Sequence, residues 1–169
     1  MDAMEAIFTR RSIRKYTGDP VPDEIIEKIL KAAMYAPSAG NQQPWHFVVI
    51  RDRKTLDEIP GVHKHAQMAK EAQAAILVCG DVKLDKHDGV WVQDCSAATQ
   101  NLLLAAHALG LGGVWCGVYP RGQIIEGLRE LLDLPDHVYP FALIPLGYPN
   151  ERKGDPGRFD KSRIHLDRW

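Results

Sequence analysis

The chain has 169 residues, 21 Lys+Arg against 22 Asp+Glu, and 45% hydrophobic residues. That length allows a substantial core, and residues 1–169 are expected to form one domain. A net charge of −1 argues against a protein built mainly to bind nucleic acid. Three separated cysteines, Cys79, Cys95 and Cys116, with no CxxC pair, argue against a disulfide scaffold or a Cys-based zinc site and fit a reducing cytoplasm.

The opening MDAMEAIFTRR lacks the shape of a signal peptide, since acidic residues come first and no apolar core follows. Residues 2–9 fit a short helix with Met4, Ile7 and Phe8 on one side. The stretch FTRRSIRKY then gathers Arg10, Arg11, Arg14 and Lys15 before a run of turn formers. Pro22 opens a helix whose apolar stripe is Ile25, Ile26, Ile29, Leu30 and Ala33, with Asp23 and Glu24 at its dipole-favoured start. It should stop near Ala36, because Pro37 restricts the residue before it.

A polar loop, PSAGNQQP, leads to the strand WHFVVI (45–50). KTLDEI and residues 62–72 are expected as short helices. AAILVCG (74–80) is continuously apolar and hence a buried strand. Residues 88–109 form the longest helix, apolar on more than one side, which suits a large core or a second subunit. The run NLLLAAHALGLGGVW is broken by His107 and glycines and reads as a helix entering a strand, not a membrane span. GGVWCGV (112–118) and FALIPLG (141–147) complete four strands, with the helix QIIEGLRELL between them. Helices and strands interleave around a central sheet, either α/β or α+β. The polar tail 150–169 has no period, yet Ile164, Leu166 and Trp169 should dock somewhere.

GxGxxG, GxxxxGK[ST], HExxH and GxSxG are all absent, so classical dinucleotide and P-loop sites lack their residues. His63 and His65 lie two apart and would diverge on a helix, which disfavours a metal site. Asp85 and Asp94 show no acid/base partner, and no side-chain nucleophile stands out. Four segments do. RRSIR offers guanidinium forks and a hydroxyl suited to phosphate, against the plainer reading of a solvated helix end. In PSAGNQQPW, the amides of Asn41, Gln42 and Gln43 suit the edge of a heterocycle, against a simple connector. The glycines of GLGGVWCGV allow a close backbone approach, against tight strand packing. IPLGYP ends a strand with Pro145, Gly147 and Pro149.

In this order, FTRRSIRKY, YAPSAGNQQPWHFVVI, GLGGVWCGV and IPLGYP resemble the FMN-dependent nitroreductase family from Ile7 to about Arg163. The resemblance implies an α+β fold with a mixed central sheet flanked by helices. It implies an intertwined homodimer, FMN at its interface, and the tail 150–169 crossing to the partner subunit. It places Arg10, Arg11 and Ser12 on the FMN phosphate and ribityl chain, and Arg14 near the N1/O2 end of the ring. Pro37, Ser38, Ala39 and Asn41 would contact the flavin of the other subunit. Cys116–Gly117 would offer a backbone N–H to N5, and Pro145, Leu146 and Gly147 would line the flavin. Lys161 and Arg163 would close on the phosphate, and Gln67 would meet the pyrimidine edge.

The activity implied is an FMN-dependent NAD(P)H oxidoreductase with a ping-pong cycle. NADH or NADPH donates, and a nitroaromatic, quinone or enone accepts. FMN carries the redox chemistry, so no catalytic side chain is required. A flavin-binding carrier or sensor without turnover, a flavin reductase and a dehalogenase are the alternatives. No nucleic acid or membrane partner is implied.

Overall fold

A computed structural model describes residues 1–169. Ten principal elements follow one another: α1 (Ala3–Thr9), α2 (Asp23–Met34), β1 (Trp45–Ile50), α3 (Arg53–Val62), β2 (Ala74–Asp81), α4 (Trp91–Ala108), β3 (Gly112–Gly113), β4 (Cys116–Gly117), α5 (Gly122–Leu132) and β5 (Val138–Gly147). Three short 3-10 turns join them, at Ala39–Asn41, Gln67–Lys70 and Lys161–Arg163.

The sheet order is β1-β2-β5-β3, with β4 also on β5. All pairings between these strands are antiparallel, and the parallel contribution is a bridge from Ser12 to Gly113. β2 is buried along its whole length, as a central strand covered on both faces must be. Its side chains alternate between two cores. Ala74, Ile76 and Val78 join α2 and α4 on one face, and Ala75, Leu77 and Cys79 join α3 and α5 on the other. Fully buried residues such as Ile76 and Leu77 each contribute about 1.5–3 kcal/mol.

Local signals explain the starts of α3 and α4. Asp52 caps α3 by accepting a hydrogen bond from the Thr55 N–H at 2.8 Å. α4 begins at Trp91 because Asp88 and Gly89 adopt positive φ just before it. Its outer side, with Leu104, Ala105 and Ala108, forms a shallow apolar depression with Ala32 and Tyr35 of the α2 end.

Three segments depart from expectation. The helix foreseen at 62–72 is a turn followed by a 3-10 turn. Ala66, Ala69 and Ala72 are fully buried at a spacing of three, the 3-10 period. The Arg53 guanidinium donates to the Ala69 and Ala72 carbonyls at 2.9 Å each and ties this turn to the start of α3. The strand foreseen at 112–118 is split into β3 and β4 by Val114 and Trp115. β5 begins earlier, at Val138, where it pairs with Asp81.

Candidate active site

The RRSIR segment runs from the end of α1 along the sheet edge. Ile13 N–H donates to the Gly113 carbonyl at 3.0 Å, and the Tyr16 hydroxyl donates to Ile13 and Pro145 carbonyls at 2.8 and 3.1 Å. Glycine is required opposite Ile13: a Cβ on Gly112 would lie 2.7 Å from the Ile13 Cβ. This clamp sends neighbouring arginines in different directions.

Arg11 is spent inside the chain. Its Nε donates to the Gly154 carbonyl at 2.8 Å, and its Nη1 donates to Phe8 and Arg10 carbonyls at 2.7 and 2.9 Å. Asp155 faces its other nitrogen at 3.7 Å. Arg10 is half-buried. Burial, then the like charges of Arg158 and Arg11, hold its pKa below the usual arginine value. Arg158 joins this wall without having been singled out by the sequence. Ser12 is half-buried on the bridge to Gly113.

Arg14 turns the other way. Its backbone N–H donates to Glu151 Oε1, and its side chain reaches a cleft of about 620 Å³. Gln67, Cys116 and Gly117 line the same cleft, so four residues from three distant stretches converge there. His63, His65 and Arg121 add polar lining, and Met68, Val114 and Trp115 add an apolar wall. None of the lining residues is a carboxylate.

His63 Nε2 donates to the Gly117 carbonyl at 3.1 Å, while its buried Nδ1 has no partner. Burial is the first cause that lowers the His63 pKa, so the ring stays neutral. The His63 and His65 rings meet edge-on at 6.3 Å. Burial pushes the Cys116 thiol up to about 11, which keeps it protonated and a poor nucleophile. The lining therefore offers polar and apolar contacts but no activated nucleophile.

The PSAGNQQP loop lies elsewhere and is tightly built. Buried Asp94 on α4 accepts from the Ala39 N–H at 3.0 Å and from Gln42 Nε2 at 2.7 Å. Asp85 also accepts from Gln42 Nε2, at 3.2 Å, and Gln42 Oε1 accepts from the Lys86 N–H at 2.8 Å. The expectation that Gln42 reads a ligand edge is thus corrected, because both ends of its amide are committed internally. Asp85 and Asp94, which had no evident partner in the sequence, are the residues that hold it. Exposed Pro37 and Asn41 and half-buried Ser38 and Ala39 remain on the outer side of the loop. Ser38 Oγ accepts from the Gln43 N–H at 3.1 Å.

Pro145, Leu146 and Gly147 are buried at the end of β5, beneath Tyr16 and β3. Lys161 and Arg163 sit exposed in the tail's 3-10 turn, where Arg163 pairs with Asp160 at 3.3 Å. The tail leaves Phe159, Ile164, Leu166 and Trp169 largely uncovered, Trp169 completely.

The fold and site define an α+β protein with a cationic, carboxylate-free cleft where β4 meets the RRSIR segment. The model for the Nitroreductase family matches residues 7–92 and 61–148, and the chain belongs to that family. A protein of Methanothermobacter thermautotrophicus, provisionally named NADH dehydrogenase/NAD(P)H nitroreductase, is 57% identical over 169 residues, covering 100% of this chain and 88% of that one. A solved structure from Parabacteroides distasonis with the same provisional name has TM-score 0.94 at 44% identity, covering 98% of each chain. A provisionally named nitroreductase from Desulfovibrio desulfuricans, solved in complex with FMN, has TM-score 0.85 at 35% identity, covering 99% of this chain and 98% of that one.

Proposed function

We propose that this chain is an FMN-dependent NAD(P)H oxidoreductase. It works as a homodimer and passes hydride, in a ping-pong cycle, from NADH or NADPH to an electron-poor acceptor such as a nitroaromatic, quinone or enone. The observation that carries this reading is the cleft shared by Arg14, Gln67, Cys116 and Gly117. Family relatives named for FMN and NAD(P)H support it.

The residues present fit FMN. Burial, then the like charges of Arg158 and Arg11, depress the Arg10 pKa, and a phosphate dianion beside Arg10 would offset that cost. The cleft joins a guanidinium, an amide and an apolar wall, which suits a planar ring with a polar edge. When bound, FMN supplies the two-electron chemistry. The chain's part is to bind and tune. Arg10 and Ser12 hold the phosphate, Arg11 fixes the segment that carries them, and Arg14 offers positive charge to the ring's N1/O2 end. Cys116 and Gly117 present backbone to N5, Gln67 meets the pyrimidine edge, and Pro145, Leu146 and Gly147 back the site from β5.

Residues 1–169 act as one domain in this reading, with 150–169 reaching the partner. The uncovered Phe159, Ile164, Leu166 and Trp169 support that crossing, which would bring Lys161 and Arg163 to the phosphate. Pro37, Ser38, Ala39 and Asn41 then serve the partner's flavin. No helix is long and apolar enough to cross a membrane. A cytoplasmic location is part of the same proposal, and three free, buried cysteines support it.

The test is to add FMN to the purified chain, record its visible spectrum, and then add NADH or NADPH without oxygen. Retained FMN that bleaches and re-oxidises with a nitro, quinone or enone acceptor is the expected result. A chain that takes up no FMN overturns the proposal. FMN that is held but never reduced points to a carrier or sensor.

A further inference from the structure

We infer that the preferred acceptor is an anion: a planar nitroarene or quinone bearing a carboxylate or sulfonate, anchored by Arg121. The inference rests on the flavin reading of the cleft and names the substrate class for it.

Five of the arginines, Arg11, Arg51, Arg53, Arg129 and Arg163, have an acidic partner. Arg51 meets Asp23 at 2.8 Å, Arg53 meets Asp57 at 3.0 Å, and Arg163 meets Asp160 at 3.3 Å. Arg121 differs. It is exposed, and its guanidinium reaches only the Gly117 carbonyl, at a long 3.4 Å. In a chain with 22 Asp+Glu, the cleft around Arg121 contains none of them. His65, also exposed, adds an imidazole to that wall.

Position makes the charge useful. Arg121 and His63 both donate to the Gly117 carbonyl, so the guanidinium is held beside the strand end assigned to the flavin. An anion on Arg121 would place the rest of its molecule along the same cleft. There Trp115, 36% exposed and packed edge-on against Phe141 at 5.6 Å, offers a fixed apolar surface. Arg14 is engaged with the ring in this reading, which leaves Arg121 and His65 for the second ligand. A neutral acceptor in the cleft would dehydrate Arg121 without replacing its water, whereas an anionic one gains a charge-assisted hydrogen bond. That difference is a basis for discrimination. The reductant's phosphates share the same chemistry and are the competing source.

The experiment uses the FMN-loaded protein and NADH, with 4-nitrobenzoate against nitrobenzene, and naphthoquinone sulfonate against naphthoquinone. The ratio of kcat/KM, anionic over neutral, is expected to exceed one and to shrink as salt rises. Arg121→Gln should lower that ratio about tenfold, mainly through KM, and Arg121→Lys should restore part of it. His65→Gln gives a smaller fall in the same direction and is the second variant if Arg121→Gln misfolds. A parallel arm measures NADPH against NADH with one neutral acceptor. If Arg121→Gln changes only that cofactor ratio, the anion belongs to the reductant and the inference is overturned. An acceptor ratio near one that no variant moves overturns it as well. Failure to bind FMN, or to reduce it with NADH, instead sinks the underlying oxidoreductase reading and is seen before any acceptor is added.

Discussion

Replacing Asp94 is the sharpest probe of how the PSAGNQQP loop is held. Its carboxylate is buried at 4% exposure and accepts two hydrogen bonds, from the Ala39 N–H at 3.0 Å and Gln42 Nε2 at 2.7 Å. Bonds to a charged acceptor contribute roughly 1.5–3 kcal/mol each. Asp94→Ala removes both, but Gln42 keeps Asp85 at 3.2 Å, so the net cost is about 3–4 kcal/mol. For a chain of this size that lowers Tm by roughly 10 °C. Asp94→Asn keeps one acceptor oxygen and turns an N–H toward the other donor, so it should cost about half as much. The loop is proposed to meet the partner's FMN, and FMN affinity should fall in the same order. Thermal melts by circular dichroism and FMN titration by fluorescence measure the two effects. An Asp94→Ala melt within about 2 °C of the parent would show that the carboxylate does not hold the loop.

Arg10→Ala and Arg14→Ala should each weaken FMN binding by about 1.5–3 kcal/mol, read by equilibrium dialysis; unchanged affinity in both would remove the phosphate and ring assignments. Gly112→Ala drives a Cβ to 2.7 Å from the Ile13 Cβ and should cost roughly 1–3 kcal/mol in a denaturant titration, with an unshifted midpoint counting against the clamp. Burial, first among its causes, lowers the His63 pKa from 6.5, so below pH 6.5 the unfolded chain binds more protons at this site than the folded one. The stability this contributes is complete above pH 6.5 and is lost as pH falls through the folded pKa. His63→Asn should therefore narrow the Tm gap between pH 8 and pH 5.5, and an unaltered gap would contradict the assignment. Deleting residues 155–169 removes the uncovered Phe159, Ile164, Leu166 and Trp169 and should shift the proposed dimer toward monomer in light scattering.

Periodicity made much of the fold legible. The unbroken apolar run of β2 forecast a strand with two covered faces, and its alternating side chains fill both cores. It failed at 62–72, because buried alanines three apart suit an α-helix or a 3-10 turn equally well. The site was legible as segments and only partly as residues. Asp94 could not be matched with Gln42 across the intervening chain, because nothing local to either side chain marks the pair. Arg11 looked like its neighbours in RRSIR, yet a carbonyl in the tail claims it. Arg158 and Arg121 sat outside every motif, and only the folded chain brings them to the two cationic walls.

The arginines show how a nearly neutral chain concentrates positive charge where it is needed. Structural arginines are neutralised: Arg51 by Asp23, Arg53 by Asp57, and Arg11 by carbonyls with Asp155 behind them. Arg10 has like charges as neighbours, while Arg14 and Arg121 face a cleft without carboxylates. Leaving half-buried Arg10 uncompensated costs folding stability, since burial and like charges both disfavour its cation. The acids that could serve lie close at hand. Glu151 accepts from the Arg14 backbone N–H, and that bond is the main reason its pKa is lowered. Its carboxylate is thereby tied to the backbone while the Arg14 guanidinium stays in the cleft. The arrangement keeps the side-chain charge available to a ligand and uses Glu151 to fix the segment that carries it.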